Sequence, residues 1–160
     1  MKHALTALFS IIIFIGFMAC KTDENITAVK MDEGNNNNVS VETAGTRVNI
    51  RIGSKTFLAT LMNSPAASAF KTKLPMTVAM SDLNGNEKFF NLPANLPVNA
   101  SSPGSIHTGD LMIYGSNTLV LFYKSFTTQY SYTRLGRIED VSGLATAVGS
   151  GNVTVTFTLQ

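Results

Sequence analysis

The sequence predicts a mainly β protein, a closed antiparallel barrel with two short helices. Three observations lead there. Apolar and polar residues alternate in Arg47-Val48-Asn49-Ile50-Arg51-Ile52 and again from Asn152 to Leu159, the period of a half-buried strand. Asn84-Gly85 stands between two further apolar runs, the strongest short signal for a hairpin. Hydrophobic residues make up 44% of the chain and charged ones only 14%, which suits a β-rich core under a surface of Thr, Ser and Asn and excludes a disordered chain. Many short strands with few helices favour antiparallel closure over a parallel sheet, with a two-sheet sandwich as the competing arrangement.

Taken in order, the 160 residues divide into three parts. Residues 1–19 have a short basic start, Met1-Lys2-His3, and then an uncharged apolar run from Ala4 to Ala19, the layout of a secretory signal peptide. The run is shorter than the roughly 20 apolar residues of a membrane-spanning helix, and no basic stop-transfer cluster follows it. Residues 20–45 hold Cys20 and a polar stretch with the run Asn35-Asn36-Asn37-Asn38, the composition of a flexible tether. Residues 46–160 form the folded domain.

Within that domain Arg47 to Ile52 is the first strand. Gly53-Ser54 turns into Lys55 to Leu61, with Phe57, Ala59 and Leu61 on one face. Ser64-Pro65 is a helix start, a capping hydroxyl before a proline whose missing N–H has no partner to lose; the helix is expected over Ala66 to Leu74, stopped by Pro75. Met76 to Ser81 and Glu87 to Phe90 flank the hairpin turn. Pro93, Pro97 and Pro103 mark an irregular excursion, since each removes a ladder donor. Asp110 to Tyr114, Thr118 to Lys124 and Tyr130 to Ile138 read as strands. Val141 to Val148 reads as a short helix, and Asn152 to Leu159 as the last strand, with Val153, Val155, Phe157 and Leu159 on one side.

Several chemistries are excluded or weakened by counting. Basic residues are scattered among acids at a net charge of +2, so there is no nucleic-acid stripe. One cysteine permits neither an internal disulfide nor a cysteine zinc site, and with only His3 and His107 no multi-histidine metal site exists. His107 and Asp110 are three apart at a strand entrance, where the acid is expected to cap a turn. Asp82-Leu83-Asn84-Gly85-Asn86-Glu87 begins like a calcium loop, but Glu87 stands where that loop needs Gly and Pro93 where it needs its bidentate acid, so a hairpin turn is expected. No cofactor motif is present, since no Gly-rich loop joins a strand to a helix. Tyr114, Tyr123, Tyr130 and Tyr132 crowd adjacent strands with Phe122 and Phe126; such groups pack cores, and their hydroxyls also serve ligand grooves.

Two resemblances add to this reading. Phe17-Met18-Ala19-Cys20 resembles the bacterial lipobox, in which a small residue precedes a cysteine acylated on sulfur before cleavage. The resemblance implies a lipoprotein held in the bilayer through acylated Cys20, in the cell envelope, at the outer membrane of a Gram-negative bacterium on its periplasmic or surface face. Each buried methylene contributes about 0.8 kcal/mol, so several chains on one cysteine make a stable anchor. The domain, in turn, resembles the bacterial cyclophilin-like proteins that have no established activity, through Ser64-Pro65-Ala66-Ala67-Ser68-Ala69-Phe70, Gly109 to Gly115, Leu119 to Tyr123 and Leu135-Gly136-Arg137-Ile138.

That second resemblance implies a cyclophilin-like barrel with a groove. Cyclophilins carry the isomerase arginine in a Phe-His-Arg segment; the nearest segment here is Phe89-Phe90-Asn91, where Asn91 has no charge. The family's groove tryptophan has no counterpart, and Tyr132 falls near the family's histidine. Arg134 and Arg137, in the strand similar to Phe-Gly-Lys-Val, are expected away from the groove. The expectation is a non-catalytic module binding a peptide or small ligand with Phe90, Asn91, Tyr114, Tyr123, Tyr130 and Tyr132; the alternative is a weak prolyl isomerase or another enzyme using the same groove.

Overall fold

Alternate apolar positions bury one face of each strand, and the way those faces meet sets the architecture. In the computed structural model, which describes residues 45–160, the elements run β1 (Arg47–Ile52), β2 (Lys55–Leu61), α1 (Pro65–Lys71), β3 (Met76–Leu83), β4 (Glu87–Asn91), β5 (Ser105–Ile106), β6 (Asp110–Tyr114), β7 (Thr118–Phe122), β8 (Phe126–Thr127), β9 (Tyr132–Ile138), α2 (Leu144–Val148) and β10 (Val153–Leu159). The leader, Cys20 and residues 21–44 of the tether lie outside the described residues.

Eight strands close into a barrel in the order β1-β10-β3-β4-β7-β6-β9-β2, and β5 pairs with β8 in a separate ribbon. All barrel neighbours are antiparallel. Closure excludes the sandwich and removes the free edges that an open sheet would present.

The barrel interior is built in matched layers. Ile50 of β1 stands opposite Phe57 of β2 and Phe157 of β10, and all three are buried. The Phe70 ring of α1 meets Phe157 edge to face at 5.7 Å. Each such side chain contributes about 1.5–3 kcal/mol when taken fully from water. Where β2 crosses β9 the backbones come so close that a Cβ on Gly136 would collide with the Thr60 carbonyl oxygen.

Several ends differ from the sequence reading. Helix α1 is capped by the Ser64 hydroxyl, which accepts from Ala67 N at 3.2 Å, but ends at Lys71 rather than Leu74. Lys73 and Leu74 make tight bonds to Phe70 and Lys71, three residues back, and Pro75 steers Leu74 out of helical dihedrals. Helix α2 begins at Leu144 rather than Val141, because Gly143 takes a left-handed φ of 80°. Strand β3 runs to Leu83, and the turn takes Asn84 and Gly85 through φ of 55° and 64°. Strand β7 stops at Phe122, where Tyr123 N and Lys124 N both donate to Asn86 O; β9 starts at Tyr132, because Tyr130 N is held by the Thr128 hydroxyl. On β10, Val155 and Phe157 are buried while Leu159 ends exposed. The β5–β8 ribbon is an addition to the sequence reading; at two residues per strand it has no periodicity to read.

Four neighbouring strands, β4, β7, β6 and β9, carry apolar side chains on both faces. Leu111, Ile113, Leu119 and Leu121 point into the barrel, whereas Met112, Val120, Phe122 and Tyr132 form a second cluster on its outer side with Ile106 of the ribbon. Phe89 and Phe126 pack against that outer cluster. An apolar face outside a closed barrel needs a cover, and the ribbon supplies only part of one.

Candidate ligand groove

The uncovered part is a depression of about 370 Å³, lined by Glu87, Phe89 and Asn91 of β4, Thr118 and Val120 of β7, Tyr114 of β6, Tyr132 of β9, Phe126 of β8, Tyr130 and the hairpin residues Leu83, Asn84 and Asn86. Its size falls in the range of small-molecule sites. The rings form a connected run: Tyr130 meets Tyr114 at 6.1 Å, Tyr114 meets Tyr132 at 5.6 Å, Tyr132 meets Phe122 at 5.5 Å and Phe122 meets Phe126 at 5.7 Å. Tyr114 and Tyr130 are exposed, so one end of this run is open to a ligand. No lysine or arginine lines the depression.

Glu87 is the ionisable group of the floor. It is only 8% exposed, and no hydrogen-bond donor or cation among the described residues pairs with its carboxylate. Burial, with a smaller push from the Asp82 charge, raises its pKa to about 7. Burial also raises the Tyr132 hydroxyl, and the Glu87 charge adds to that shift, which places the two groups in one field. Beside Glu87, the buried Asn86 Oδ1 has no hydrogen-bond partner.

The next residue, on the inner face, is the opposite case. Lys88 is fully buried, and its Nζ donates to Asp82 Oδ1 at 2.7 Å, Gly149 O at 2.9 Å and Gly151 O at 2.7 Å, using all three of its hydrogens. The Tyr123 hydroxyl donates to the same Asp82 oxygen at 2.7 Å, and Gly85 N donates to Oδ2 at 3.2 Å. Lys88 first and Tyr123 second hold the Asp82 carboxyl below its ordinary range. Burial, then the bond to Asp82, pushes Tyr123 up to about 12. Lys88 thus ties the hairpin that carries the groove to the loop after α2, and Asp82 holds Lys88 in place.

Of the residues singled out from the sequence, Asn91, Tyr114, Tyr130 and Tyr132 line one depression. Phe90 and Tyr123 sit instead with the barrel core, because β4 alternates and Phe89, not Phe90, takes the outer side. Glu87 and Phe126 also belong to the depression, although the sequence reading placed Glu87 only at the hairpin and Phe126 only in the aromatic group. The signal for Glu87 was its spacing of two and four from Phe89 and Asn91; for Phe126 it was membership of the aromatic group, and the ribbon brings it to the depression. Asp110 caps its turn, accepting from His107 N at 2.9 Å, and Arg137 Nε donates to its other oxygen at 2.6 Å while Nη2 lies 3.2 Å from His107 Nδ1. Arg134 lines a different depression, with Pro65 of α1 and Pro97 of the excursion. Among the described residues no three His, Cys, Asp or Glu side chains gather as a metal site.

A closed eight-stranded barrel with two short helices and a depression on its outer wall is the architecture of a cyclophilin-like domain. The Cyclophilin-like family model matches residues 50–158, and the chain belongs to that family. Among solved structures it is similar to the solution structure of a hypothetical protein from Archaeoglobus fulgidus, with 19% identity and a TM-score of 0.56 over 73% of this chain and 96% of that one, a likeness of fold alone. No curated protein matches the chain at a significant level.

Proposed function

We propose that the protein is a lipoprotein, anchored in the cell envelope through acylated Cys20, whose cyclophilin-like domain binds a peptide or small ligand in the outer groove without isomerising it. The observation that carries the binding role is an aromatic depression with no arginine or lysine in its lining. Prolyl isomerisation has a barrier of roughly 18–20 kcal/mol, and each tenfold acceleration needs about 1.4 kcal/mol of preferential transition-state stabilisation. A fixed cation in a water-poor groove supplies such stabilisation; the neutral amide of Asn91 offers a hydrogen bond about half as strong as a charge-assisted one. The anchor rests on Phe17-Met18-Ala19-Cys20 and the apolar run before it.

A catalytic reading in the same groove has one observation in its favour, the near-neutral Glu87, a range in which a carboxyl can pass protons. A protease-free isomerisation assay separates the two readings. The expected result is no acceleration of a proline test peptide by the protein; clear catalysis, lost in Glu87→Gln, would replace the binding reading with the enzymatic one. In cells, Cys20→Ser is expected to lose fatty-acid labelling and leave the membrane fraction, and retention of both would refute the anchor.

A further inference from the structure

We infer that the groove selects a cationic ligand, an ammonium or guanidinium group on an apolar stem, with Glu87 as its counter-ion and Tyr114, Tyr130 and Tyr132 as its aromatic wall. This rests on the groove being a binding site and names the chemistry it takes.

The argument begins with what the groove lacks. A buried carboxylate is ordinarily paired or hydrogen-bonded, because an isolated charge loses its hydration on burial. Asp82 follows that rule, with Lys88, Tyr123 and Gly85 all donating to it. Glu87, in the same hairpin, has no protein donor among the described residues, and its carboxylate opens to the groove. The charged and titratable groups on the elements around Glu87 leave it without a partner. Asp82 of β3 repels it; Lys88 of β4 is committed to Asp82 and two carbonyls on the barrel side; Tyr123, after β7, gives its hydroxyl to Asp82. Lys124 stands over the Tyr123 ring at 5.9 Å and pairs with no acid among the described residues, and Tyr132 of β9 contributes a hydroxyl without a charge. The unmatched Asn86 oxygen adds a second acceptor without a donor at the same corner.

A ligand that supplies donors and a positive charge corrects the Glu87 deficit, whereas an anionic ligand would add a third like charge beside Asp82 and Glu87. The wall fits the same ligand. Cations are attracted to the faces of aromatic rings, most strongly where water is excluded, and Tyr114 and Tyr130 stand exposed at the open end of the run. The apolar remainder, Phe89, Val120 and Phe126, suits the stem that carries the charge. A free organic amine and a lysine or arginine side chain of a peptide share this chemistry.

Calorimetry on the full chain in nanodiscs of neutral lipid, with empty nanodiscs subtracted, tests the inference. The probes are benzylammonium against benzyl alcohol, and the blocked peptide Ala-Lys-Ala against its norleucine counterpart. Each cation is expected to bind about tenfold or more tighter than its neutral counterpart at about pH 8. That affinity is expected to fall about tenfold or more by about pH 5.5, as Glu87 takes up its proton near pH 7. Glu87→Gln is expected to abolish the preference. A preference shown only by the lysine peptide assigns a peptide source, and one shown by benzylammonium as well assigns the free cation; either supports the inference. Equal affinity for cation and neutral probe, no binding of any probe, or a pH-independent preference overturns it. Binding of the neutral probes alone leaves the binding-module reading standing while removing its cationic selectivity. Should Glu87→Gln fail to fold, the pH dependence of the unaltered chain decides.

Discussion

Glu87 and Lys88 are adjacent in β4 and face opposite ways. The inner residue carries a charge into the barrel and meets three acceptors placed for it; the outer one carries a charge into the groove and meets none. Inside a barrel every polar group must be satisfied by the fold itself, because neither water nor a ligand reaches it. On the outer face the fold has left a deficit, and a deficit of that kind marks a place where something else is to bind.

The comparison breaks most easily at Lys88. Lys88→Met keeps the length of the side chain but strips Asp82 of its counter-ion and the Gly149 and Gly151 carbonyls of their donor, so urea unfolding is expected to show a loss of about 3 kcal/mol. An unchanged midpoint would mean that the inner network is dispensable and that the contrast with Glu87 teaches nothing.

Glu87→Gln is expected to act in the other direction and more weakly. The Glu87 pKa rises from 4.5 free to about 7 folded, so the folded state holds the proton more tightly than the unfolded chain does. Its contribution is therefore neutral below about pH 4.5, becomes unfavourable as pH rises through the window to 7, and stays so above it. With the groove open to solvent, the Gln variant is expected to be more stable by about 1–2 kcal/mol at about pH 8 and no different at about pH 4.5. Denaturant melts of both proteins at the two pH values check it; a variant destabilised at about pH 8 would show that the carboxylate has a partner after all.

The fold was legible because its signals are local. Alternation located β1, β2 and β10, the Ser64-Pro65 pair located α1, and Asn84-Gly85 located the hairpin. Strand and helix ends were less legible, since Leu74 is limited by Pro75 and β7 by two bonds to Asn86 that depend on tertiary placement. The groove was half legible. Tyr114, Tyr130 and Tyr132 stand out by composition, but assigning Phe90 and Tyr123 to it required the phase of β4 and the end of β7, and a shift of one residue moves a side chain to the other face. Glu87 looked like the end of a turn, and only closure of the barrel shows that it is buried without a donor while Asp82 is not.

The contrast between those two carboxyls can be read in one experiment. With Asp and Glu side-chain carbons labelled, an NMR titration of the protein is expected to show Asp82 ionising below the ordinary carboxylate range and Glu87 ionising near pH 7. Addition of benzylammonium is expected to bring the Glu87 midpoint down and leave Asp82 where it is, since a bound cation favours the charged form of its neighbour. Two midpoints that both fall in the ordinary carboxylate range, with neither moved by the amine, would contradict the account at its centre.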